Sequence, residues 1–424
     1  MYSTIQACRI CGNKHLESIV DLGNMALTGR FPRPDEDIPV GPLELVRCAS
    51  DGNHDACGLV QLRQSYDLGE LFTDHYGYRS SLNRSMVRHL ETIVQHAQKI
   101  VTLDPDDLVL DIGSNDGTTL GLYQRLDLDL VGVDACGHKF AQYYPGHVRL
   151  IADFFSADRV RELVGPKKAR VITSIAMFYD LENPLAFVRE IHDILAKDGI
   201  WIFEQSYLPM MIDNTSYDTI CHEHLEYYAL RQIVWMFERA NMKIVDVAMN
   251  DSNGGSFQVV AARKDSMFRE NSQRIAQILA EEDWRDFHRA QPYVQFRDRV
   301  FAHRDTLPGF IEQARRRGER VLGYGASTKG NVVLQFCGLT DKHIECIAEV
   351  NADKFGCVTP GSNIPIVSEP RARDMEPTYF LVLPWHFRTS ILRREVQYLA
   401  SGGQFLFPLP HLEVVGQDRI ARAA

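Results

Sequence analysis

Residues 218–225 read Asp218-Thr219-Ile220-Cys221-His222-Glu223-His224-Leu225 and gather two imidazoles, two carboxylates and a thiol within eight positions. A neutral imidazole, whose ordinary pKa is about 6.5, takes up protons readily near neutral pH, so this segment is the first candidate for general-base chemistry. On a strand both histidines would face one side, on a helical turn they would diverge, and in neither case does Glu223 share a face with both. The spacing is His-Glu-His and lacks the His-Glu-x-x-His of metalloproteases, which disfavours a metal here; the plain alternative is a polar turn that caps a helix.

A ligand site precedes it in the chain. Residues 108–118, Leu108-Val109-Leu110-Asp111-Ile112-Gly113-Ser114-Asn115-Asp116-Gly117-Thr118, read as an apolar strand that ends in an acid and two glycines before a helix. Residues 130–134 form a second apolar strand ending in Asp134. Glycines in such a turn let a ligand approach the backbone, and an acid at the end of the second strand accepts hydrogen bonds from ribose hydroxyls. The pattern Asp-x-Gly-x-x-x-Gly departs from the dinucleotide Gly-x-Gly-x-x-Gly and resembles the first motif of class I S-adenosylmethionine-dependent methyltransferases, whose ligand carries no phosphate. Residues 149–155 predict a third strand, with Asp153 placed for an adenine amino group and Phe154 and Phe155 for the ring. Strands over 171–176 and 199–205 and a helix over 185–195 continue the alternation, which predicts a parallel sheet with ligands at its carboxyl ends.

The chain has 424 residues, 45% of them hydrophobic, enough for about three domains. Its net charge of -10 disfavours nucleic acid as a partner, no apolar run is long enough to span a membrane, and the N-terminus lacks a signal-peptide pattern, so a cytoplasmic protein is expected. Nine cysteines argue against a disulfide framework. Cys8-Arg9-Ile10-Cys11 is a metal-type knuckle, and Cys48 with Cys57 completes four thiolates for a closed, structural zinc site; His54 is an alternative ligand. A proline-rich loop over 22–42 follows the knuckle, residues 71–81 are rich in hydroxyl groups, including Tyr76 and Tyr78, and 86–100 has helical periodicity. Beyond a charged helical stretch, residues 320–326 and 344–350 suggest a second strand-glycine-helix-strand unit. A lone Gly-x-Gly is weak, and its glycines can serve close packing alone; Trp385 and His386 line a neighbouring cleft or fill the core.

Taken in order, the knuckle, Tyr76-Gly77-Tyr78-Arg79-Ser80-Ser81, Ile112-Gly113-Ser114-Asn115-Asp116-Gly117-Thr118, the 218–225 octapeptide, Gly254-Gly255-Ser256 and residues 323–331 resemble the sugar C-methyltransferases that act on nucleotide-linked deoxysugars. The likeness spans nearly the whole chain. It implies an N-terminal zinc module, a central methyltransferase core and a C-terminal α/β domain, and methylation at C3 of a 4-keto-6-deoxyhexose carried on dTDP or GDP. On the matching positions it implies His224 as catalytic base with Glu223 beside it, an active-site tyrosine at Tyr76 or Tyr78, His222 near the substrate, and Ser327, Thr328, Lys329 and Asn331 on the diphosphate. Cys221 stands where better-known members have tyrosine, and Asp180 where they have histidine.

Chemistry alone supports the same outline. A carbon beside a ketone loses its proton when the enolate is stabilised, and the carbanion then attacks a sulfonium methyl. His224 is the expected base, with Glu223 or Asp180 orienting it, and Tyr76, Tyr78, Tyr227 or Tyr228 donating to the keto oxygen. Cys221 reads as a packed thiol more readily than as a nucleophile. The expected fold is α/β, with a zinc-binding module over 1–85, a Rossmann-like methyltransferase domain over 86–265, a helical connector over 266–308 and a Rossmann-like domain for the sugar nucleotide over 309–424. Two other classes compete: an NAD-dependent sugar-nucleotide oxidoreductase or epimerase, disfavoured by the lack of a Tyr-x-x-x-Lys pair near the second glycine turn, and a zinc-bearing RNA-modifying protein, disfavoured by the acidic balance.

Overall fold

The computed structural model describes residues 1–50, 52, 56–71 and 77–417. The N-terminal module contains β1 (Tyr2–Thr4), β2 (Leu16–Ala26), β3 (Val40–Cys48), β4 (Val60–Leu62) and β5 (Gln64–Tyr66). β1 pairs with β5, and β2, β3 and β4 form an antiparallel sheet. Leu43, Leu45, Val60 and Leu62 of that sheet share one hydrophobic core with the C-terminal domain, so a segment too small to enclose a core of its own packs into a neighbour's.

The central sheet carries β6 (Leu108–Ile112), β7 (Asp129–Val133), β8 (Arg149–Ile151), β9 (Ala169–Ile175) and β10 (Leu195–Ser206), parallel in the order β8-β7-β6-β9-β10. Every residue of β6 is buried, as a strand covered on both faces requires. The helix Arg84–Ile100 packs Met86, Leu90, Ile93 and Ala97 inward, and Asn83 caps it by accepting from the Ser85 amide. The third strand predicted over 149–155 ends at Ile151, which leaves Asp153 and the two phenylalanines in the loop beyond it.

β11 (Glu226–Tyr227) leaves this unit: it pairs antiparallel with β4, so the residues that follow His224 become the edge of the N-terminal sheet. β12 (Met242–Asn250) and β13 (Ser256–Arg263), neither of them predicted, finish the central sheet, with β13 antiparallel between β10 and β12. Helices Ser272–Trp284 and Gln291–Arg316 then lead to the last sheet. Its strands β14 (Val321–Tyr324), β15 (Ile347–Glu349), β16 (Ile366–Ser368), β17 (Tyr379–Val382) and β18 (Gln404–Phe407) run parallel in the order β16-β15-β14-β17-β18, and β19 (Glu413–Val415) is antiparallel at its edge. In both parallel sheets the chain builds outward from one side of its first strand and then from the other, so β6 and β14 each end at a switch point, where α/β sheets bind ligands.

Candidate active site

A cavity of about 1080 Å³ opens at the carboxyl ends of β6 and β14 and takes wall residues from all three parts of the chain, Phe31, Asp111 and Tyr324 among them. On the β6 side Asp134 is fastened by backbone: one carboxylate oxygen accepts from the Asn115 amide at 2.8 Å and the other from the Cys136 amide at 2.7 Å. Each oxygen keeps a second lone pair for a ligand hydroxyl. Asp111 accepts from the Thr173 hydroxyl at 2.5 Å, and burial pushes its pKa up to about 7. Gly113 has φ +74, and a Cβ there would press on Met177 at 2.9 Å, so the turn admits no side chain between the backbone and the cavity. Asp153, Phe154 and Phe155 line the same end, with Asp153 paired to Arg159. Three carboxylates and two aromatic rings at and beyond the strand ends suit a cationic nucleoside such as S-adenosylmethionine.

His224 also lines the cavity. Its Nδ1 lies 2.9 Å from the Thr219 carbonyl, which can only accept, so the proton sits on Nδ1 and Nε2 keeps its lone pair. Burial first, and then the charge of Lys329, push the His224 pKa down to about 3, which holds the ring neutral. The ring of Tyr179 packs on it with centroids 4.2 Å apart. The orienting group is thus a backbone carbonyl, in place of the Glu223 or Asp180 expected from sequence. Both carboxyls line the cavity, and each has one buried oxygen without a hydrogen-bond partner among the described residues. Gly29 makes room for Glu223, since a Cβ at position 29 would overlap its Oε1. Tyr78 lines the cavity and is 43% exposed within it; Tyr76 and His54 lie outside the described residues.

The wall at the end of β14 carries two lysines. Ser327, Thr328 and Lys329 line it, with Lys329 Nζ donating to the Asn253 carbonyl at 2.9 Å. Lys354, which the sequence reading missed, joins them and donates to the Ala326 carbonyl at 2.8 Å. Glu349, at the end of β15, accepts from the Ala326 amide at 2.8 Å and from the Asn351 amide at 2.8 Å, the arrangement Asp134 has in the first unit. Glu204 was missed too: at the end of β10 it reaches the cavity and holds His89 at 2.5 Å, Asn250 at 2.8 Å and Gln258 at 3.1 Å. Its carboxylate overcomes the burial that opposes a charge on His89 and raises that histidine's pKa.

Seven predicted site residues do not reach the cavity, among them Tyr227, whose hydroxyl donates to the Thr219 carbonyl at 3.2 Å, and the fully buried Tyr228. His222 is fully buried, accepts from the Thr28 amide at 3.3 Å and meets the edge of Tyr66, so it braces the octapeptide from behind the cavity wall. Asn331, expected on the diphosphate, is fully buried and donates to the Thr28 carbonyl at 2.7 Å, away from the cavity lining. Cys221 is fully buried, and burial raises its thiol pKa well above the ordinary value, leaving an inert packed group. Asp116 accepts from the Ser81 amide and the Thr118 hydroxyl, and so anchors the segment that carries Tyr78. Gly117, with φ +75, packs against the Tyr144 ring.

The sulfurs of Cys8, Cys11, Cys48 and Cys57 lie within 4.8 Å of one another. Cys8 to Cys57 and Cys11 to Cys48 are each 3.5 Å, too long for a disulfide and close to the edge of about 3.8 Å expected of a tetrahedron with Zn–S bonds of about 2.3 Å. The Asn13 side-chain amide and the Leu59 backbone amide donate to Cys48 and Cys57, as donors do around thiolates. The donor set fits zinc, and it is closed, so the metal's part is structural.

Comparison with known proteins agrees with this construction. Residues 8–72 match a zinc binding domain, 82–247 a methyltransferase domain and 251–410 a C-methyltransferase C-terminal domain. The C-methyltransferase NovU of Streptomyces niveus is 30% identical over 418 residues, spanning 98% of each chain. Among solved structures, the plantazolicin methyltransferase BpumL with SAH is 15% identical, with a TM-score of 0.33 over 41% of this chain and 82% of its own. The magnesium protoporphyrin IX methyltransferase of Synechocystis PCC 6803 with bound SAH is 14% identical, with a TM-score of 0.34 over 43% and 88%. With S-adenosylmethionine as methyl donor and zinc held by four cysteines, the chain belongs to the C-methyltransferase family that carries an N-terminal zinc-binding domain.

Proposed function

We propose that the chain methylates C3 of a 4-keto-6-deoxyhexose linked to dTDP or GDP, in the cytoplasm, with His224 as general base. The observation that carries this reading is the meeting in one cavity of Asp111, Asp134 and Asp153 from the first α/β unit, Lys329 and Lys354 from the second, and His224. The three carboxylates suit a sulfonium nucleoside and the two lysines suit a diphosphate. S-adenosylmethionine, bound by the carboxylates, supplies an electrophilic methyl group. His224 Nε2 takes the proton from the carbon beside the ketone, while Nδ1 stays fixed on Thr219 and the ring does not turn. Tyr78 reaches the same cavity and is the hydroxyl we assign to the sugar ring. Holding both reactants in one pocket supplies much of the rate.

Deuterium exchange tests the base apart from the transfer. In D2O with the 4-keto-6-deoxyhexose nucleotide and no methyl donor, wild type is expected to place deuterium at C3, and His224→Gln is expected to lose exchange and methylation together while binding the donor normally. Exchange at C3 that survives in His224→Gln overturns the assignment.

A further inference from the structure

We propose that Asp180 carries a proton in the resting enzyme and uses that O–H to hold the substrate's carbonyl oxygen as it becomes an enolate. The proposal rests on the function set out above and names the donor that reaction needs. The chain itself brings Asp180 there. The Tyr179 carbonyl accepts from the amides of Leu225 at 2.8 Å and Glu226 at 3.1 Å, which clamps the turn after β9 onto the segment holding Glu223 and His224. Asp180, Glu223 and His224 therefore reach one stretch of cavity wall.

The two carboxyls differ in what surrounds them. Around Glu223, burial works against the charged form, but polar groups of its own backbone, Cys221, Gly29 and Thr28 lie within reach and favour it. Among the described residues Asp180 has no such help: its Oδ1 is buried without a hydrogen-bond partner there, and burial, Glu223 and Glu226 all act against its charge. Arg9 spends its charge on Glu226 and Glu182. Two neighbouring buried carboxyls do not both ionise readily, and the one lacking donors keeps the proton. Asp180 is also free of a structural duty, since the Thr219 carbonyl already orients His224.

The electrons balance without a further reagent. The C–H pair becomes the C=C bond of the enolate as the proton passes to His224 Nε2, the carbonyl π pair moves to oxygen, and the Asp180 O–H shortens onto that oxygen. Formation of the new C–C bond breaks the S–C bond and restores the carbonyl; Asp180 keeps its proton, and the proton on His224 leaves to water. A neutral acid in this place stabilises the enolate without first having to surrender a charge.

Infrared difference spectra between wild type and Asp180→Asn at neutral pH read the proton with no substrate present, so they test Asp180 separately from the ketosugar reading. A protonated-carboxyl band that Asp180→Asn removes is expected, and its absence overturns the proposal. In turnover, Asp180→Ala is expected to lower kcat by about a hundredfold to a thousandfold with little change in KM, whereas Asp180→Asn, still a neutral donor, stays within about tenfold of wild type. The wild-type rate falls at alkaline pH as Asp180 ionises, and Asp180→Asn lacks that limb. An Asp180→Asn enzyme as impaired as Asp180→Ala, with the alkaline limb intact, overturns the assignment; failure of wild type to exchange C3 hydrogen overturns the proposed function instead.

Discussion

Arg9, enclosed within the cysteine knuckle, sets its Nε 3.7 Å from the carboxylate of Glu226, two residues beyond His224. Its guanidinium also donates to the Gln64 carbonyl at 3.0 Å and the Ser65 hydroxyl at 2.7 Å, and its side chain is only 2% exposed. Glu226 opens β11, the strand that pairs with β4 of the zinc-bearing module. The metal therefore fixes a knuckle, the knuckle fixes Arg9, and Arg9 fixes the strand leading away from the base. Arg9→Ala removes a buried guanidinium that donates to Gln64 and Ser65 and eases the burial of Glu226, whose pKa burial pushes well up, and is expected to lower the urea unfolding midpoint. Zinc removal by a chelator should lower stability and turnover together; turnover unchanged in the metal-free protein would separate the zinc module from the active site.

The tautomer of His224 can be read directly. Nitrogen NMR of the ring should show Nδ1 protonated and Nε2 bare at neutral pH, and a proton on Nε2 instead would remove the base from its role. Because the His224 pKa is pushed down to about 3, protonation of the base stops catalysis only in strong acid, so with the donor saturating His224 sets no acid limb on kcat/KM for the sugar between neutral pH and about 5. Lys329 is the second cause of that depression, after burial. Lys329→Gln removes a cation from beside the ring, the His224 pKa rises, and the acid limb of kcat/KM is expected to move to higher pH.

Much of this site is legible in side chains and much of it is not. Asp111, Gly113 and Asp134 announce themselves because a ligand at a strand end demands an acid and a bare turn at fixed spacing, and the four cysteines because zinc demands thiolates. The Thr219 carbonyl that orients His224 belongs to the backbone, and no residue type betrays it. β11 is only two residues long and finds its partner, β4, more than 160 positions away, so periodicity cannot reveal it. His222 and His224 look equivalent in the octapeptide; only the packing of Thr28 and Tyr66 over His222 makes one a brace and leaves the other at the cavity. Asp180 and Glu223 read as partners for the imidazole, but the structure places them on the cavity without binding it.

The two lysines come from the second α/β unit and Asp134 from the first, and this division makes the two ligands separable by mutation. Lys354, half-buried, has its pKa lowered by burial, while Glu349 favours its charge. Lys354→Gln is expected to raise KM for the sugar nucleotide about tenfold, ~1.4 kcal/mol, with donor affinity unchanged. Asp134→Asn should do the reverse, weakening the donor, because the amide cannot accept from Asn115, Cys136 and a ribose hydroxyl together. Calorimetry with S-adenosylmethionine and steady-state kinetics with the sugar nucleotide measure the two effects, and a variant that weakens both ligands equally would contradict the division.

His222 should make the fold acid-sensitive. Burial lowers its folded pKa to about 4, while the unfolded chain titrates near the ordinary value of about 6.5. Between those values the unfolded state binds the proton and the folded state does not, so stability present above about 6.5 is lost as pH falls toward 4, at up to ~1.4 kcal/mol per pH unit. Buried carboxyls such as Asp111, whose pKa is raised, act in the opposite sense, so the total curve does not isolate the histidine. The difference between two proteins does. His222→Gln loses a well-packed ring and is expected to be less stable than wild type at neutral pH, but it carries no titrating group, so the gap between their urea midpoints should narrow as pH drops from 7 to 5. A gap that stays constant over that range would mean that His222 titrates alike in the folded and unfolded chain, and that its enclosure by Thr28 and Tyr66 does not keep it neutral.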